Sequence, residues 1–187
     1  MKTIVFLGDS LTYGYGTYPD CAYPSVVETK LHIKAINKGE NGDLTCGMSA
    51  RFRTDVLAYH PDAVMILGGT NDILNGFSLQ SIINSIDEMV QSARNANINV
   101  MIGLPMEPDL QQLTNYGLTS SMIHRIMNRF ASYHTQLLDY CQQHNILVVD
   151  FYENYPKHLF IDGIHPTAQG YETMANIFIN AMNSLDI

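Results

Sequence analysis

Ser10, Asp162 and His165 are residue types that together can cleave an acyl bond. A serine hydroxyl is a weak nucleophile until an adjacent base takes its proton, and an imidazole suits that task near neutral pH. Ser10 lies in Gly8-Asp9-Ser10-Leu11, directly after the apolar run Thr3-Ile4-Val5-Phe6-Leu7. His165 lies in Asp162-Gly163-Ile164-His165-Pro166, just before the last helical stretch. Asp162 is close enough in sequence to accept a hydrogen bond from the imidazole Nδ1–H, which would fix the tautomer and stabilise the imidazolium. A tetrahedral intermediate also needs donors aimed at its oxygen. The backbone N–H of Ser10, the backbone N–H of Gly42 and the side-chain amide of Asn71 are the candidates, and one such donor is typically worth about 10²–10³ in kcat. Gly-Asp-Ser taken alone is equally a turn and a helix cap, so the chemistry depends on whether the chain brings these positions together.

The elements predicted from patterning put them at strand ends. Thr3–Leu7 has no polar alternation, as expected of a strand buried on both faces of a parallel sheet, and Gly8 permits a sharp turn at its carboxyl end. Tyr23 to His32 carries Val26, Val27 and Leu31 at helical spacing, with Pro24 near its start. Lys34 to Asn37 reads as a short second strand, followed by the polar glycine loop Lys38–Thr45. Met48 to Tyr59 reads as a helix ended by His60-Pro61. Asp62 to Leu67 is the third strand and breaks at Gly68-Gly69-Thr70-Asn71-Asp72. Further helices are predicted over Ser78 to Asn95, Ser120 to His144 and Thr167 to Ser184, with strands over Ile98 to Leu104 and Ile146 to Phe151. Pro105 to Thr119 is the longest irregular stretch, and such loops are usually functional or mobile. Strand–helix alternation without repeat or linker predicts one α/β domain over residues 1–187, a three-layer α/β/α sandwich. Its parallel strands end on one edge, where loops distant in sequence can converge.

Bulk properties narrow the function. A composition 46% hydrophobic and 15% charged describes a globular protein. The formal net charge of −8 argues against a nucleic-acid surface and predicts repulsion from anionic membranes. No apolar run approaches a membrane span. Lys2 leads straight into the first strand, so no signal peptide is expected. Cys21, Cys46 and Cys141 have no CxxC spacing, which points to reduced thiols and a cytoplasmic protein rather than to disulfides or zinc. Asp162 and His165 have no further ligand at suitable spacing, so no metal is expected there. His124, His134 and His144 stand ten residues apart, are rotated from one another on a helix, and read as solvated. Gly14 and Gly16 do not complete a dinucleotide fingerprint, and there is no Gly-x-Ser-x-Gly elbow. No face is apolar enough to argue for a dimer.

Gly8-Asp9-Ser10-Leu11, Gly42, Gly69-Thr70-Asn71-Asp72 and Asp162-Gly163-Ile164-His165-Pro166 resemble, in order and interval, the four blocks of the SGNH hydrolases, the GDSL lipase/esterase family. Gly39 and Gly42 both lie in the second block, and the spacing from Asn37 favours Gly42. The resemblance implies a flavodoxin-like five-stranded parallel sheet, no cofactor, and hydrolysis of carboxylic esters or thioesters. It implies Ser10 as nucleophile, His165 as base and then acid, Asp162 as its orienter, and Gly42 and Asn71 as oxyanion donors beside the Ser10 N–H. The expected partner is a small-molecule ester, on a short-chain acyl-ester or lipid reading. A carbohydrate deacetylase or a thioesterase is the alternative on the same site, and a non-catalytic binding protein on the same scaffold is the alternative of another class. Tyr13, Tyr15, Tyr18 and Tyr23 cluster after the nucleophile; Tyr13 is a candidate pocket wall, with Met106 and Tyr116 of the long loop opposite.

Overall fold

Val5 and Leu7 face one side of the first strand and Ile4 and Phe6 the other, and none of the four is more than 3% exposed. The unbroken apolar run is therefore a strand covered on both faces. In the computed structural model, which describes residues 1–109, 112, 117, 119–153 and 155–183, this strand is β1 (Thr3–Gly8). It is followed by β2 (Lys34–Gly39), β3 (Ala63–Leu67), β4 (Asn99–Leu104) and β5 (Leu147–Asp150). All pairings are parallel, in the order β2-β1-β3-β4-β5. The helices are α1 (Ser10–Tyr13), α2 (Tyr23–Leu31), α3 (Thr45–Asp55), α4 (Thr70–Leu74), α5 (Leu79–Asn95), α6 (Ser120–Gln143) and α7 (Ala168–Asn183). None of them is long and apolar enough to cross a membrane.

Two cores form the outer interfaces of the sandwich. Val5, Leu7, Val64, Ile66, Ile102 and Leu104 pack under α3, α5 and α6, while Ile4, Phe6, Met65, Leu67, Met101 and Val149 pack under α2 and α7. The expected stripe of α5 is buried at Ile82, Ile86, Met89 and Val90. Each fully buried aliphatic side chain is worth roughly 1.5–3 kcal/mol, so these faces hold the strand order against the entropy of the loops. The order reverses direction at β1, with β2 on one side and β3 on the other. That switch point is where open α/β sheets leave a crevice beyond the carboxyl ends.

Two short helices, α1 and α4, begin inside the glycine loops that patterning treats as irregular. Helices of four and five residues are too brief for a periodic stripe. α3 begins at Thr45, ahead of its first apolar position, because its start is fixed by a partner outside the helix, as described below. Gly8 also differs from expectation. Its backbone angle φ is not positive; it is required by crowding, since a Cβ there would lie 2.2 Å from Thr12 Oγ1 and 2.6 Å from the Leu67 carbonyl oxygen. Its register partner Gly39 is crowded in the same way, with a Cβ falling 2.1 Å from the Tyr13 backbone nitrogen. α1 thus presses directly on the ends of β1 and β2. Gly39→Ala is expected to destabilise the protein by about 1–3 kcal/mol, as overpacking does, read as a lowered urea midpoint. An unchanged midpoint would mean that α1 does not rest on β2.

Candidate active site

Ser10 is the first residue of α1, and the carboxylate of Asp9 caps that helix by accepting from the Leu11 N–H at 2.9 Å. The hydroxyl of Ser10 lies 2.9 Å from His165 Nε2, across 155 residues of sequence. His165 Nδ1 lies 2.6 Å from Asp162 Oδ2. The other carboxylate oxygen, Oδ1, accepts from the His165 N–H at 2.8 Å and the Ile164 N–H at 3.0 Å. Burial pushes the Asp162 carboxyl up, but these amides and the imidazole outweigh it and hold it below the ordinary carboxylate value. An ionised Asp162 accepts a hydrogen bond from Nδ1–H and so holds the proton on that nitrogen, which leaves Nε2 as acceptor for the Ser10 hydroxyl.

The loop carrying the imidazole is tied at its base. Phe160 and Pro166 form an isolated antiparallel bridge, and the Ile161 N–H donates to the His165 carbonyl at 2.8 Å. The Asp109 N–H donates to the Gly163 carbonyl at 2.8 Å, bringing the loop after β4 to the same place. Tyr15, of the tyrosine cluster, rests its ring on the imidazole with centroids 4.4 Å apart. Its backbone is fixed on both sides, as its N–H donates to the Ser10 carbonyl at 3.1 Å and its carbonyl accepts from the buried Tyr171 hydroxyl at 3.0 Å. Tyr15 is partly exposed, and its ring covers one side of the imidazole.

On the other side of Ser10, the Asn71 side-chain amide donates to the Asp43 carbonyl at 2.9 Å and lies 3.4 Å from Asp9 Oδ2. Asp43 follows Gly42 in a turn closed by the Asp43 N–H on the Glu40 carbonyl at 3.2 Å. Gly42 is exposed within that turn at φ +76°, a left-handed conformation that glycine adopts without penalty. Asn71 and the Gly42 turn therefore sit together although they follow different strands. The Ser10 N–H, at the start of α1, has no acceptor within the helix. Asp72 reaches across to the start of α3 and accepts from Thr45 Oγ1 at 2.7 Å, which fixes the early start of that helix.

Other candidates are placed differently. Met106, expected as a pocket wall, is 3% exposed and packs in the core with Ile4, Phe6 and Leu67, so it offers no open wall. Tyr13 is exposed and borders a surface recess with Thr17, Pro19, Asn37 and Gly39. Tyr116 lies outside the described residues. His134 is not solvated, since it stacks on Tyr152 with centroids 4.3 Å apart and lies 3.4 Å from Asp150. Tyr133, unremarked in the sequence, is buried and donates from its hydroxyl to the Gly68 carbonyl at 3.0 Å, bracing the glycines before Asn71. A recess of about 900 Å³ lined by Ile4, Ala63, Met101 and Leu147 opens at the amino-terminal edge of the sheet and shares no residue with the Ser10 site. Among the described residues, no three His, Cys, Asp or Glu side chains are grouped to hold a metal ion.

The sequence and the fold are similar to those of known proteins. The model of a family described as GDSL-like lipase/acylhydrolase matches residues 6–173. An arylesterase of Vibrio mimicus is 28% identical over 182 residues, covering 93% of this chain and 84% of the relative. Thioesterase 1/protease 1/lysophospholipase L1 of Escherichia coli strain K12 is 27% identical over 183 residues, covering 93% and 80%. Among solved structures, a lipolytic protein of the G-D-S-L family from Veillonella parvula superposes with a TM-score of 0.82 at 23% identity, covering 99% of this chain and 100% of that one.

Asp9 carries a measurable signature. Burial pushes its carboxyl up from 3.8 to about 7, against the Leu11 hydrogen bond and with the help of Asp72 and Asp43. A raised folded-state value means that the folded protein binds a proton which the unfolded chain has released. This contribution is full below about pH 4 and is lost as pH rises towards 7, at up to about 1.4 kcal/mol per pH unit. The stability difference between wild type and Asp9→Asn in urea should therefore shift against the wild type from about pH 5 to pH 7 and level off above. A pH-independent difference would rule out the raised value.

Proposed function

The chain belongs to the GDSL-like lipase/acylhydrolase family, and from that premise we propose that this carboxylic-ester hydrolase works through a covalent acyl-enzyme on Ser10. The observation that carries the reading is the continuous link from Asp162 to His165 to Ser10, at 2.6 Å and 2.9 Å. Ser10 Oγ attacks the ester carbonyl while His165 Nε2 takes the hydroxyl proton, and Asp162 holds the resulting imidazolium in place. The Ser10 N–H, the Gly42 N–H and the Asn71 amide receive the oxyanion. Collapse of the intermediate breaks the bond to the leaving oxygen, which takes the proton back from His165. Water then attacks the acyl-enzyme by the same route in reverse and frees Ser10. The whole chain acts as one domain on a small-molecule ester. Thioesters are the second reading, supported by the name of the Escherichia coli relative.

Ser10→Ala is expected to abolish hydrolysis of p-nitrophenyl acetate in a folded protein, and a fluorophosphonate should label wild type at Ser10. Full activity in that variant would refute the assignment. A folded wild type that neither turns over nor labels would instead be a binding protein. Asn71→Ala should lower kcat by about 10²–10³. Relative rates on acetyl, butyryl and octanoyl esters and the matching thioesters decide between the two substrate readings.

A further inference from the structure

We propose that Arg51 is the positioning residue that keeps the oxyanion donors in register with the nucleophile, an inference that rests on the roles given above to Ser10 and Asn71. Arg51 projects from α3, with its side chain 14% exposed, toward the carboxyl ends of β1 and β2. Its Nη2 donates to the Gly8 carbonyl at 3.0 Å, the last of β1 before Asp9 and Ser10. Its Nε donates to Asp43 Oδ2 at 2.8 Å, and its Nη1 to Asp55 Oδ2 at 2.8 Å, one turn along the same helix. Glu40 approaches Nε at 3.9 Å, and Lys38 pairs with the other oxygen of Asp55 at 3.3 Å.

Asp43 is the point where this matters. Its side chain holds Arg51 and accepts from the Leu44 N–H at 2.9 Å, while its backbone carbonyl accepts the Asn71 amide at 2.9 Å. One guanidinium thus joins the carbonyl that precedes the nucleophile to the residue that aims Asn71 and follows Gly42. The Gly8 carbonyl also accepts from the Glu40 N–H at 3.0 Å, so Arg51 completes a contact that the end of β2 begins. Room for it is built in. A Cβ at Gly47, also on α3, would fall 2.2 Å from Asp43 Oδ1. The donors come from loops after three different strands, and a misplacement of about 1 Å can cost about 10²-fold in rate. A planar fork with fixed donor directions sets such distances; a flexible ammonium does not.

The test measures p-nitrophenyl acetate hydrolysis by Arg51→Met, Arg51→Lys and Asp43→Asn, each alone and in an Asn71→Ala background. We expect Arg51→Met to lower kcat about 10- to 100-fold with KM within about twofold, and Arg51→Lys to recover only part of the loss. In the Asn71→Ala background the same change should cost at least about fivefold less, because a donor it positions is already gone. Should Arg51→Met fail to fold, Arg51→Lys and Asp43→Asn carry the same comparison. An equal loss in both backgrounds, or a wild-type kcat, overturns the proposal. Turnover that does not depend on Ser10 in the parent protein would instead overturn the acyl-enzyme reading beneath it.

Discussion

A hydrogen bond of 2.9 Å between Ser10 and His165 closes 155 residues of chain, and its net worth, about 1 kcal/mol, is far too small to close them by itself. The closure is done elsewhere. β1 is buried on both faces between two helical layers, and α7, which begins just after His165, packs on one of those faces through Tyr171, Met174, Ala175 and Phe178. Roughly 1.5–3 kcal/mol for each such side chain sets the ends of β1 and α7 relative to one another before any polar contact is made. Ser10 and His165 meet because two apolar elements do.

That placement leaves little freedom at the sheet edge. α1 lies so close to β1 and β2 that Gly8 and Gly39 cannot carry a side chain. Asp9 is buried beside Ser10 at 1% exposure, with Asp72 and Asp43 near enough to raise its carboxyl further. Burying like charges together is unfavourable, and the nearby cation, Arg51, is bound to Asp43 and Asp55 rather than to Asp9. The stability given up there holds Leu11, which follows Ser10, and Asn71. Sites of this kind are where a fold stores its unfavourable terms.

Parts of the arrangement were legible in the residues because they follow from burial alone. Ile4–Leu7 has no polar position, and the α5 stripe recurs regularly from Ile82 to Val90, so strand and helix were readable with their faces. The four blocks pointed to residues of which the structure brings Ser10, His165 and Asp162 within hydrogen-bond distance. What escaped notice depends on partners distant in sequence. Tyr133 looks like one more polar interruption of α6 until Gly68 is beside it, and Met106, between Pro105 and Glu107 in a long irregular stretch, gives no sign of turning inward. α3 is largely polar around Met48 and Phe52, so neither its start at Thr45 nor the direction of Arg51 has a local signal. An arginine on a polar helix is by default a solvated one; only the three acceptors distinguish Arg51.

The two halves of the site are held by different means. The base side is local: Asp162 takes two amides from its own loop and the imidazole from the residue three positions on, and a bridge at Phe160 and Pro166 ties off the loop. Such a unit keeps its geometry even if its neighbours shift. The oxyanion side has no such unit. The donors proposed for it follow β1, β2 and β3, and what joins them is a set of side-chain contacts centred on α3: Thr45 to Asp72, and Arg51 to Gly8 and Asp43. Small displacements of α3 therefore bear on the oxyanion and leave the Asp162–His165 pair alone. Electrostatic stabilisation of the transition state is usually the largest single contribution to acyl transfer, so on the proposed assignment α3, which supplies no reacting atom, has the greater leverage over turnover.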